Sequence, residues 1–184
     1  MDALTLLQQR NSIPKLTEPG PGARDLEQML RAAVRAPDHG HLQPWRFIAI
    51  EGDGRQRLGA LFAEALRQRK PGASQEEIQK NENAPLRAPL IVAVIARLRD
   101  HKVPRIEQLL SAGCAAHGIV LAAQALGYGA IWRTGDNSYD PVVKAGLGLD
   151  ANEEIVGYIY VGTPAASAKP LSEPAVTGFL SRWN

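Results

Sequence analysis

Residues Leu90-Ile91-Val92-Ala93-Val94-Ile95-Ala96 form an unbroken apolar run opened by Pro89. A strand with one face in water alternates apolar and polar residues. A run without alternation therefore reads as a strand buried on both faces. Helices must then cover the sheet on two sides, which demands a layered domain. The run is far too short to span a bilayer.

The rest of the chain supplies the covering elements. The 184 residues suit one domain, taken here as 1–184. Residues 2–10 carry Leu4 and Leu7 on one side and read as a short helix, and Pro14, Pro19, Gly20, Pro21 and Gly22 make a loop. Leu26, Met29, Leu30, Ala33 and Val34 recur at helical spacing, and Pro37 stops that helix. Residues 44–50 read as a strand, and Leu58, Leu61, Phe62, Ala65 and Leu66 mark a helix. Residues 70–88 are polar and turn-rich, with a short helix near Gln75–Lys80, and read as a flexible segment or lid. Pro104 opens a long helix reaching Leu126, Ala130–Arg133 and Glu154–Gly162 read as strands, and a short helix is expected near Pro141–Gly146. The tail holds Pro164, Pro170 and Pro174, then Phe179, Leu180 and Trp183, a pattern suited to docking on a partner subunit.

The long helix is built from small residues, including Gly113 and Gly118. Glycine inside a helix costs up to roughly 1 kcal/mol relative to alanine, so close approach of another helix or a flat ligand is expected. That neighbour lies either within the subunit or across a dimer seam. Cys114 is the single cysteine, which excludes an internal disulfide, and it reads as a buried small hydrophobe. Formal charge is only +2 and no basic block occurs, which argues against nucleic acid. Met1-Asp2-Ala3-Leu4 lacks the features of a signal peptide, so a soluble, cytoplasmic protein is expected.

Three stretches could carry chemistry. Arg10-Asn11-Ser12 sets a guanidinium and a hydroxyl two residues apart, within reach of one phosphate. Arg35-Ala36-Pro37-Asp38-His39-Gly40-His41-Leu42-Gln43-Pro44-Trp45 runs from a helix end through a polar loop into a strand. Asp38, His39 and His41 are competent metal ligands, but His101 and His117 fall in no pattern that would complete a site. Leu126-Gly127-Tyr128-Gly129-Ala130-Ile131-Trp132-Arg133-Thr134-Gly135 ends a strand in an arginine, a hydroxyl and a glycine, where layered α/β folds place ligands. No GxGxxG or GxSxG occurs.

Together these stretches resemble the nitroreductase family of FMN enzymes, most closely its short NAD(P)H nitroreductases. Arg87-Ala88-Pro89, His101-Lys102-Val103-Pro104-Arg105, Ser111-Ala112-Gly113-Cys114 and Gly162-Thr163-Pro164 extend the match over nearly the whole chain. The resemblance implies an α+β fold of three layers, with a central mixed sheet flanked by helices and a C-terminal extension exchanged in a homodimer. It implies FMN at the subunit interface and NADH or NADPH as electron donor. Arg10, Asn11 and Ser12 would grip the ribityl phosphate and flavin edge. Arg35 and His39 would come from the second subunit, and Arg133, Thr134 and Gly135 would line the phosphate end. Ala123, Gln124, Ala125, Leu126, Gly127 and Tyr128 would lie near the nicotinamide. Two departures stand out: Asn11 replaces the usual basic residue after the first Arg, and Ile13-Pro14 displaces the next basic residue to Lys15. The function implied is ping-pong hydride transfer to nitroaromatic, quinone or related acceptors, with the cofactor doing the chemistry and no side chain required as acid or base. A non-catalytic flavin carrier or sensor would use the same motifs.

Overall fold

The computed structural model describes residues 2–166, 171 and 175–183. Pro170 and Pro174 of the expected tail stem lie outside the described residues. Strand β3 (Leu90–Arg97) is the predicted apolar run, and every residue from Leu90 to Ala96 is buried. Its alternate side chains enter two different cores. Leu90, Val92, Val94 and Ala96 pack with α2 (Ala23–Ala33) and α5 (Arg105–Ala125), whereas Ile91, Ala93 and Ile95 pack with α3 (Asp53–Arg69) and α6 (Pro141–Gly146). The domain is therefore helix on sheet on helix, as the run requires.

The sheet order is β1 (Leu16–Thr17), β5 (Glu153–Pro164), β3 and β2 (Trp45–Glu51), and β4 (Gly129–Arg133) also pairs with β5. A mixed sheet was expected, but every pairing among the described residues is antiparallel. The reason lies in the excursion after β2. Helix α3, α4 (Gln75–Glu82) and the turn at Ala84–Arg87 return the chain to the end of β2 that it left, so Leu90 pairs with Glu51. Two elements differ from the sequence reading. Strand β1 lies where a loop was expected; it has two residues and exists through its pairing with Thr163 and Pro164. Helix α2 stops at Ala33, ahead of Pro37, in turns closed by Ala32 and Ala33 carbonyls.

Helix α5 buries Gln108, Ser111, Ala112, Ala115, Ala116, Ile119, Val120 and Ala123, a stripe of helical spacing. It is long and apolar enough to cross a membrane by length and composition, yet that stripe is the face of a core helix. Gly118 is explained within the subunit: a Cβ there would meet the Ala32 carbonyl and Ala33 Cα of α2 at 3.2 Å. Cys114 falls outside the stripe and is exposed in the single chain, correcting the buried-thiol expectation. Ile106, Leu110, Cys114 and His117 instead recur along the exposed face.

Candidate active site

The loop after α1 (Ala3–Gln9) is held from two sides. The Ile13 amide donates to the Ala130 carbonyl of β4 at 2.9 Å. Gln124 of α5 clamps the backbone: its Oε1 accepts from the Asn11 amide at 3.3 Å, and its Nε2 donates to the Gln9 carbonyl at 3.2 Å. Arg10, between these ties, donates from Nη1 to Ser12 Oγ at 3.4 Å.

The end of β4 faces this loop. Trp132 donates from its indole to the Val156 carbonyl at 3.3 Å, and its ring lies against Gly157, where an added Cβ would collide with it. Arg133 stacks on Tyr160, with its guanidinium carbon 5.5 Å from the ring centroid. Its Nε is buried and has no hydrogen-bond partner among the described residues. Burial pushes the Tyr160 hydroxyl up to about 12, against the opposing pull of Arg133 and Arg87. Gly135 then turns the chain at a φ of 108°, a conformation that favours glycine.

Arg10, Ser12 and Thr134 line one cleft of 390 Å³, together with His117, Val120 and Trp132. Thr134 also lines a second cleft of 500 Å³, where Arg69, Lys70, Lys80 and Arg87 gather. Two of those cations are already engaged: Arg69 with Asp140 at 2.9 Å and Lys70 with Glu77 at 2.6 Å. Asn11 lines a smaller pocket of 210 Å³ with Gln124, Gly127 and Tyr128. The largest of these clefts, 620 Å³, lies beside β2 and between α3 and α6, and none of the motif residues lines it. Size therefore does not mark the site here; the convergence of donors does.

The structure does not bring every expected residue to the 390 Å³ cleft. Arg35 and His39 lie beyond the end of α2, exposed, and line none of these clefts. His39 Nδ1 is 2.6 Å from Glu107 Oε2 on the first turn of α5. In the 123–128 stretch Ala123 is buried in the core, and Tyr128 donates to Asp25 Oδ2 at 2.7 Å, which raises the phenol above its usual range. Trp132, His117 and Arg87 were not identified as site residues from the sequence. Trp132 and Arg87 stood inside quoted motifs, whereas His117 needed the orientation of α5 to be found.

The pattern of the Nitroreductase family matches residues 7–163. The chain is 44% identical over 183 residues to the Escherichia coli K12 protein named "Putative NAD(P)H nitroreductase YdjA", covering 98% of this chain and 99% of that one. It is 39% identical over 171 residues to the Haemophilus influenzae protein named "Putative NAD(P)H nitroreductase", covering 92% of each. Among solved structures it is similar in fold to a nitroreductase-like family protein from Bacillus cereus (TM-score 0.86, 21% identity, covering 100% of this chain and 96% of that one). It is also similar to a nitroreductase from Desulfovibrio desulfuricans crystallised with FMN (TM-score 0.78, 24% identity, 100% and 98% covered).

Proposed function

The chain belongs to the nitroreductase family, and from that premise we propose that it is an FMN-dependent NAD(P)H oxidoreductase acting as a homodimer. It reduces nitroaromatic, quinone or related acceptors, with donor and acceptor using the same place in turn.

The observation that carries this reading is the cleft in which Arg10, Ser12 and Thr134 converge from separate parts of the chain. A guanidinium and two hydroxyls suit a phosphate monoester, and the half-exposed Trp132 and buried Val120 give a planar apolar wall. The residues present therefore fit FMN. FMN supplies the acceptance and release of hydride when bound. Arg10, Asn11 and Ser12 hold its phosphate and the nearby flavin edge, Arg10 and Ser12 from the 390 Å³ cleft and Asn11 from the pocket beside it, and the Arg133–Gly135 segment follows the phosphate end. Arg35 and His39 of a second copy close over the site, and the segment from Ala123 to Tyr128 borders the nicotinamide through its partly exposed residues from Gln124 on. Exposed Leu4 and Leu7 on α1 and Ile106 and Leu110 on α5 support a dimer seam. Exposed Val176, Phe179, Leu180 and Trp183 support a C-terminal segment exchanged between subunits.

The test is the absorption spectrum of purified protein before and after anaerobic NADPH. Flavin bands that bleach, and that weaken in R10A, are expected. Colourless protein that takes up no added FMN would overturn the reading. Flavin that binds yet stays oxidised under both NADH and NADPH would favour the carrier or sensor alternative.

A further inference from the structure

The cleft holding Arg10 is short of positive charge for the ligand assigned to it. A phosphate monoester carries about −1.5 to −2 charges at pH 7. Among the described residues lining the cleft, Arg10 is the only one with a fixed charge; Ser12 and Thr134 are neutral donors, and no carboxylate is present. Asn11, next in sequence, lines a different pocket and gives its backbone amide to Gln124. Arg133 turns its guanidinium onto Tyr160.

His117 adds a further nitrogen to the cleft. It sits on the exposed side of α5, one turn before the buried Val120 that walls the same cleft. It makes no hydrogen bond or ion pair among the described residues. An exposed histidine is unremarkable by itself; its place in a cleft with an arginine and two hydroxyls gives it a ligand. We infer that His117 is a cofactor-binding residue that joins Arg10 on the anionic tail of flavin mononucleotide. This rests on the flavin reading of the cleft. The charged and polar groups facing His117 there are Arg10 and Ser12 from the loop after α1 and Thr134 from the end of β4. His117 thus brings a ring nitrogen from α5 to the place where Arg10, Ser12 and Thr134 converge from the loop after α1 and the end of β4.

The test compares FMN with riboflavin, which lacks the phosphate. Apoprotein is titrated with each ligand by quenching of flavin fluorescence, for the wild type, R10A, H117A, H117K and H117Q. H117A and H117Q are expected to weaken FMN about five- to tenfold, the size of one charge-assisted hydrogen bond at an accessible site. Riboflavin affinity stays unchanged, and H117K stays within about threefold of wild type for FMN because its ammonium also donates to a phosphate. Unchanged FMN affinity in H117A and H117Q, or equal loss for FMN and riboflavin, overturns the role. Unchanged FMN affinity in R10A would instead remove the flavin reading of the cleft, so the two failures are distinguishable. H117Q keeps a polar side chain and serves where H117A does not fold.

Discussion

His39 and Glu107 are joined across 68 positions of sequence, with the imidazole Nδ1 2.6 Å from the carboxylate Oε2. The contact ties the loop after α2 to the first turn of α5, where the helix dipole also favours a carboxylate. If Nδ1 donates, Nε2 is the ring nitrogen left to face a second subunit. E107A should free His39 and weaken FMN binding about threefold to fivefold, a modest effect because both side chains are partly solvated. E107Q, whose amide oxygen still accepts, should bind FMN as wild type does. Equal losses in E107A and E107Q, measured by flavin fluorescence, would contradict this account.

Glu153 is buried at the start of β5, and Arg46 of β2 reaches it through two nitrogens, at 2.7 and 2.6 Å. The hydrogen bonds from Arg46 hold its carboxyl below the usual carboxylate range, against the opposing effect of burial. Because the folded value is depressed, this stabilisation is complete above the ordinary glutamate value of about 4.3 and is lost as pH falls through the folded value. Melting temperature measured against pH should therefore drop on the acid side, with a shallower drop in E153Q. R46A should cost about 2–3 kcal/mol at neutral pH, since it leaves a buried carboxylate without its main partner.

Gly157 lies opposite Val94, where the β3–β5 register shifts, and its φ is 156°. Any Cβ there would fall on the Trp132 indole and within 2.9 Å of the Arg133 carbonyl. G157A should displace Trp132 and so reshape one wall of the 390 Å³ cleft. A changed near-ultraviolet circular dichroism signal and at least about tenfold weaker FMN binding are expected, because both overpacking and loss of the wall act together. Wild-type values for both would show that Trp132 is not fixed by Gly157.

Leu110 is 61% exposed on α5. Replacing it with arginine leaves the buried stripe of the helix untouched but puts a charge into the expected seam. L110R should be a folded monomer by light scattering, and its FMN affinity should fall with dissociation if one site draws on two chains. A dimer that survives the substitution would place the seam elsewhere.

Gln124 offers a test of the loop itself. Q124A removes both side-chain ties to Gln9 and Asn11. FMN binding should weaken roughly threefold to tenfold, the range of one or two ordinary hydrogen bonds. Hydrogen exchange at the Asn11 amide should accelerate; protection unchanged from wild type would mean the loop is held by its Ile13–Ala130 bond alone.

What could be read from the sequence followed local rules. The apolar run of β3 demanded cover on two sides, and α6 begins and ends where Pro141 and Gly146 suggested. What could not be read depended on partners distant in sequence. Two-residue β1 owes its existence to β5, and the antiparallel pairing depends on where the α3–α4 excursion delivers the chain. Cys114 was misjudged because small residues surround it on all sides of α5, so composition alone gave no angle around the helix axis. The convergence of Arg10, Ser12 and Thr134 was foreshadowed by motifs. The same motifs were silent on Gln124 as a clamp and on His117, whose neighbours are defined only by folding.

Helix α5 has no idle side. One flank is packed in the interior, another leaves Ile106 and Leu110 to water, its first turn steadies His39 and its later turns put His117 and Val120 against the cleft. A lesion on this rod should thus be felt as melting, as separation of subunits or as fading of the pigment, according to its angular position.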